Sequence, residues 1–564
     1  PGTGGVGTGG SAAVIIDGAA AVNTGSFTVY ASGTGGQGGD FFSFTGLAGD
    51  GGTGGDGTGG TATITVAAGT LDTGSLVADA AGLGGQGGNV FASGSGGPVT
   101  GTGVGGQGGV GQGGTASIDL STEINSSDSL VSTAQGVGGN GGFGLVGGNG
   151  GDGIGGTAET SIGFNAGVFA GSINAQGLGG NGGFADDGAG GNGGDGTGGT
   201  ARLRAEGAAA EVRVTQENFS SGGNGGSGGT ASGFFSGAAT GPRGGDGGDG
   251  TGGTLEIVAS GGATVELGDD SSSTVSFASA GTGGNGGSGA YNAYGPGTTG
   301  GEGGTGGAGN GGTIRLLADG GTITSADLSV AIASGGVSGT GGIGGTGTDA
   351  NGADGSVLGT TGGRIILEAA PAGTIDLGST TLRANGDAGG RIELRSSGSI
   401  GVAELQAEAL GIAAPTNYNT DTAPAGIFVA LDGGSVSSAG AATFTTFSSV
   451  GVYASGNGQL AVGGDLTIIA VDQIDIRHDN RTGTAATIGA AGPITAIATN
   501  GISGAPGSLI DAGGALRLNA SAGDIAVDRL HGADIYLQSL NDTTVGHAEA
   551  DNDFFANAQN FATG

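Results

Sequence analysis

The sequence predicts an all-β fold, a parallel β-helix (solenoid) with stacked glycine-rich hairpins inserted on one side of its N-terminal two-thirds. Three observations predict it. A Gly-Gly-Thr phrase repeatedly opens an alternating apolar strand, paired Gly-Gly-x tracts lie between those strands, and the last third reads as shorter strand–turn units without tracts.

The phrase comes first. Gly59-Gly60-Thr61 precedes Ile64 and Val66, and Gly113-Gly114-Thr115 precedes Ile118 and Leu120. It returns at Thr157, Thr200, Thr254 and Thr313, after which Arg364 and Arg391 take the Thr place. Alternation of apolar and polar residues with period two, opened by Gly, is the pattern of a half-buried strand. The spacings from Thr61 onward are 54, 42, 43, 54, 59, 51 and 27 residues. Such irregularity implies a constant coil carrying an insertion of variable length, with 27 as the bare coil.

The insertion has its own order. An outgoing tract, such as 33–39, 82–88 or 136–142, leads to a short tip, and a second tract such as 190–199 or 244–253 leads back. A period of three is neither helix nor strand but fits the extended threefold helix of the polyproline II type. Glycine lacks the Cβ that would hold such chains apart, so the hairpins are expected to stack as a blade. Shared length and register favour this over irregular loops. The tips carry aromatics: Phe41, Phe42, Phe44, Phe91, Phe143, Phe184, Phe234, Phe235, Tyr291 and Tyr294. Two roles stay open for them, gripping a glycan, a surface or a neighbouring rod, or sealing the ends of the hairpins.

From about Gly389 the tracts stop, dividing the chain into 1–390, with insertions, and 391–564, a plain β-helix. Leu516, Ile525 and Ile535 are nine and ten residues apart, which suggests two strands in a coil of about nineteen. Gly-Gly-Asp-Leu-Thr at 463–467, Ala-Gly-Gly-Ala-Leu-Arg-Leu at 512–518 and Ala-Gly-Asp-Ile at 522–525 resemble the filamentous-haemagglutinin family of two-partner-secreted adhesins and related autotransporter passengers. That resemblance covers roughly 390–564. It implies a right-handed parallel β-helix, export to the bacterial cell surface and a role in attachment or biofilm formation. The Gly-Gly-x tracts resemble, in composition, those of mycobacterial glycine-rich surface proteins and the polyglycine bundles of some phage adhesin tips and insect antifreeze proteins.

Composition bounds the chemistry. The 564 residues include 151 Gly but no Cys, Met or Trp, so no disulfide or thiolate metal site is available, and the missing initiator suggests a processed piece of a longer product. A net charge of −35 excludes nucleic acid as a natural partner. All thirteen basic residues are Arg and the first is Arg202, so the N-terminal third is purely acidic. No apolar run is long enough to span a bilayer.

Catalysis is not expected, because His478, His531 and His547 share no ligand spacing. No cofactor is expected beyond Ca²⁺. Gly344-Gly345-Thr346-Gly347-Thr348-Asp349 begins like a Ca²⁺-binding nonapeptide, although Asn351 replaces its apolar residue. Asp56, Asp152, Asp195 and Asp249 recur in the tracts, and stacking would make them either a hard-cation ladder or a solvated edge. The anchor threonines should also stack, as a ladder of hydroxyls or as an ice-binding array. The expectation is therefore a secreted, non-enzymatic surface adhesin or structural rod. The alternatives are a subunit of an end-to-end extracellular filament and an ice-binding protein.

Overall fold

The computed structural model describes residues 1–563 apart from 19–20, 45–46, 93–99, 102, 123, 165–166, 233–239, 269–273, 291–297, 326–327, 348–349, 412–424, 456–457 and 479–485. Among the described residues there is no helix, and every pairing between the long strands is parallel. The chain winds as a solenoid with three walls per coil.

The anchor strands form the first wall. Ser11–Ile16 pairs with Thr61–Val66, which pairs with Thr115–Leu120, then Thr157–Ile162, Thr200–Glu206, Thr254–Ser260, Thr313–Asp319, Arg364–Ala369 and Arg391–Ser396. The file continues without a break through Gly426–Asp432, Val450–Ser455 and Gln473–His478 to the last described strand, Asn560–Thr563. Sixteen strands in file at about 4.8 Å make a rod about 70 Å long.

One strand often supplies both remaining walls by bending. Thr374–Arg383 pairs through its first half with Thr322–Thr324 and through its second with Ser329–Ala333. Asp524–Gly532 also bends, but it joins the first wall to the second. The last coils therefore have nineteen residues, as the Leu516–Ile535 pairing shows, but three walls rather than two. Ile525 is on the first wall and Leu516 on the third; a strand that turns a corner without a Gly or Pro leaves no break for the sequence to reveal. The 27-residue interval is likewise not bare. It keeps a stub at 385–390, where Gly386 and Gly390 still crowd against neighbouring backbone.

Period-two alternation fills the interior with one residue per coil. Ile64, Ile118, Thr160, Leu203, Ile257, Leu316, Leu367 and Leu394 stand in one fully buried file. Each buried aliphatic side chain contributes about 1.5–3 kcal/mol. The single hydroxyl in that file, Thr160, is matched by Ser132 at 3.2 Å, so no polar atom is stranded there. The corner after the first wall is turned by glycines at positive φ, among them Gly69 (91°), Gly207 (91°) and Gly262 (89°). Ala372 makes the same turn at φ 61°, a conformation that costs an L-residue about 1 kcal/mol.

Candidate functional site: the glycine blade and its edge

The insertions leave the body between the third wall and the first, and the order Gly-Gly-x explains how they stack. The outgoing and returning tracts lie in two layers. Across the layers one glycine of each triplet donates its N–H to a glycine carbonyl: Gly36 to Gly5, Gly55 to Gly36, Gly85 to Gly55, Gly109 to Gly85 and Gly139 to Gly109, at 2.7–2.8 Å. The other glycine bonds within its layer to the carbonyl of an x residue, as Gly54 does to Gln107, Gly108 to Asn149 and Gly150 to Asn192. One glycine of each triplet faces the opposite layer, and the other faces the preceding coil of its own layer. A Cβ at Gly109 or Gly139 would sit 2.0 or 1.9 Å from a carbonyl oxygen, a separation that no side chain can occupy. Only x can carry a side chain, and it points outward.

That leaves the N–H of x, and the sequence supplies its acceptor. Where the x residue one coil earlier is Asp or Asn, its Oδ1 takes the bond. Asp56 accepts from Val110 (2.8 Å), Asp152 from Asp195 (2.9 Å), Asp195 from Asp249 (2.8 Å) and Asp249 from Ala308 (2.7 Å). Asn149, Asn192 and Asp246 do the same in the neighbouring column, and Asn140 and Asn181 on the outgoing face. The sequence reading saw the Asp recurrence but not this use of it. Period-three Asp or Asn beside Gly-Gly was the available signal.

The predicted carboxylate ladder is therefore partly formed. Asp152, Asp195 and Asp249 follow one another, but Val110 separates them from Asp56. Each spends one oxygen on backbone. Burial first, and then its neighbours Asp152 and Asp249, push the Asp195 carboxyl above its ordinary value, against the bond from Asp249. For Asp246, burial is outweighed by hydrogen bonds from Thr305 and Arg243, which hold it below the ordinary value. Among the described residues no three His, Asp or Glu side chains are grouped to hold a metal ion. Asp349 lies outside the described residues.

At the blade edge Phe41–Ser43 pairs with Val90–Ala92. Phe41 turns inward and its ring lies against Gly49. Phe42 stacks on Phe91 (centroids 5.1 Å, planes 15° apart), and Phe91 on Phe143 (5.8 Å, 30°). Phe44 is 80% exposed, Phe42 62%, Phe184 59% and Phe91 45%, so the row forms a rim rather than a seal. The rings occupy one another's faces and turn their C–H edges outward. Phe234, Phe235, Tyr291 and Tyr294 lie outside the described residues.

The anchor threonines Thr61, Thr115, Thr157, Thr200, Thr254 and Thr313 do stand in one file. Thr61, Thr115, Thr157 and Thr200, with Thr58 and Gln112, line a shallow groove at the blade root. The next outward column of the same wall carries charge: Arg202 bonds Glu256 (2.7 Å), and Arg315 joins Glu256 (3.0 Å) to Glu368 (2.9 Å). Farther on, the nearly buried Glu393 gathers Arg364 (2.5 Å), Arg391 (2.6 Å) and Arg395 (2.7 Å). Burial alone would raise the Glu393 carboxyl, but the three guanidinium groups outweigh it and hold it below the ordinary value. Arg391 also lies 4.4 Å from the Phe428 ring. This cluster was missed in the sequence, although Arg391, Glu393 and Arg395 alternate onto one face.

His531 Nδ1 is 2.6 Å from Asp511 Oδ1, and that bond raises its pKa. His547 pairs in register with Arg529 on the adjoining coil, and no histidine site assembles among the described residues. No protein-family model, curated protein or solved structure matches this chain.

Proposed function

We propose that the chain is a non-enzymatic attachment rod, displayed outside the cell, that holds surfaces through the aromatic rim of its blade. The observation that carries this is the Phe42–Phe91–Phe143 stack, exposed at Phe42 and Phe91 and half-buried at Phe143, with exposed Phe44 and Phe184 beside it. Apolar rows of this kind on a soluble protein mark contact sites. Secretion to a bacterial surface rests on the haemagglutinin resemblance. The rings carry no polar group, so an apolar surface suits them.

Phe42→Ser, Phe91→Ser and Phe143→Ser combined should weaken binding to alkyl-coated beads at least tenfold, about 1.4 kcal/mol, with melting unchanged. Full binding by the folded triple variant would falsify the proposal. The same rim supports a second reading, side-by-side or filamentous assembly of rods. Electron micrographs separate the two: single rods about 70 Å long favour attachment, and long fibres favour assembly.

A further inference from the structure

Asn followed by Gly is the dipeptide most prone to deamidation, since no side chain hinders the glycine nitrogen. The blade is unusually rich in it: Asn140, Asn149, Asn181, Asn192, Asn224, Asn285, Asn310 and Asn351 each precede Gly, as does Asn385 in the stub. In the reaction the backbone nitrogen of the glycine gives up its proton and attacks Asn Cγ. A C–N bond forms, the bond to the side-chain nitrogen breaks, and ammonia leaves carrying the proton. Water then opens the cyclic imide to Asp or to isoaspartate. Two things are needed: a free glycine N–H, and a side chain able to swing its carbonyl carbon onto that nitrogen.

In seven of the nine steps the stack denies both. Gly311 donates to Thr361, whose hydroxyl donates to Asn310 Oδ1, and Gly386 donates to Leu410, whose N–H donates to Asn385 Oδ1. The other five share one pattern. The attacking N–H is held by the next coil: Gly141 by Asn181, Gly150 by Asn192, Gly182 by Ser227, Gly193 by Asp246 and Gly286 by Thr340, all at 2.8 Å. The asparagine side chain is held too. Asn140, Asn149, Asn181, Asn192 and Asn285 each accept the following coil's x N–H at 2.9 Å. Asn224 and Asn351 differ. Their glycines are bonded, Gly225 to Thr282 and Gly352 to Gly345, yet among the described residues neither side chain makes a hydrogen bond.

We infer that stacking keeps the seven doubly held Asn-Gly steps chemically silent and directs deamidation to Asn224 and Asn351. The two products then have unequal consequences. Asp retains an Oδ1 acceptor of the kind that Asp152, Asp195 and Asp249 use in their own column. Isoaspartate carries the main chain through Cβ, lengthens the tract by one atom and breaks its three-residue register.

The test is peptide mapping by mass spectrometry after incubating the intact protein at alkaline pH, alongside the same chain in urea. The seven held steps should convert about a hundredfold or more slowly than in urea, because reaction requires the stack to open locally. Asn224 and Asn351 should lead in the folded protein. Conversion of all nine at one rate overturns the inference. Asn192→Pro then isolates the side-chain lock: it removes the N–H that Asn149 accepts, keeps the carbonyl that holds Gly150, and has a φ suited to the tract. Asn149 should rise to the rate of Asn224, and a folded variant with Asn149 still silent refutes that lock. The ranking in the native chain is decisive whether or not this variant folds.

Discussion

The blade and the body beneath it are built on opposite principles within one chain. The body from 391 onward is held by an apolar interior, with Ile468, Leu518 and Leu537 almost wholly buried. Its backbone bonds are those of any parallel sheet. The blade buries almost no side chains. Its order comes from backbone bonds between glycines, whose entropy cost on folding is the highest of any residue. The difference shows that hydrogen-bonded register can substitute for a hydrophobic core when it is anchored to one. The anchors are visible at the root, where Gly60, Gly114, Gly156 and Gly199 donate to Ala31, Ala80, Ala134 and Ala175 at the end of the third wall.

The largest effect should come from the blade interior. Gly109→Ala or Gly139→Ala forces a methyl to within about 2 Å of a carbonyl and should cost about 3 kcal/mol or more, read as lost hydrogen-exchange protection of the tract amides. Gly25→Ala, in a strand of the body with open space around it, should be neutral; equal damage at both places would erase the contrast.

Next is the buried charge of the first wall. Glu393→Gln leaves three arginines facing a neutral side chain and should cost about 3–5 kcal/mol in thermal melting. Its carboxyl is held low in the folded state, so its stabilisation is present above the ordinary glutamate range. It is lost as the pH falls through the depressed folded value. The variant should therefore lose the acid limb of the stability profile below about pH 4.5.

The smallest effects lie at single surface groups. Asp195→Asn keeps the Oδ1 acceptor and removes repulsion from Asp152 and Asp249, so melting should rise slightly at neutral pH. The difference should vanish in acid, where the raised carboxyl is already protonated. His531 works in the other direction. Its bond to Asp511 raises its folded value, so its contribution is complete below about pH 6.5 and fades as pH rises through that raised value. His531→Gln should therefore matter only on the acid side.

Much of this was legible in the sequence, for identifiable reasons. Thr61 through Thr313, with Arg364 and Arg391 following, could be put in register because period-two alternation restarts after each Gly-Gly pair. The blade could be anticipated because three-residue spacing has few structural meanings. The third wall was hidden, since Thr374–Arg383 turns its corner inside a continuous strand. The break in the acid ladder at Val110 and the meeting of Arg364 with Glu393 depend on which residues align across coils of unequal length. The exposure of the tip rings was likewise not legible, because it depends on how neighbouring tips stack.

The direction of the bonds has a mechanical corollary. Walls and blade alike are joined from coil to coil along the rod, whereas the chain itself runs across it. A pull along the axis therefore opens one rung at a time and does not shear many together. The coil from Thr61 to Thr115 spans 54 residues and, once released, pays out on the order of 180 Å of slack. A tether made this way yields at modest force but over a great distance, absorbing work as a ripping seam does.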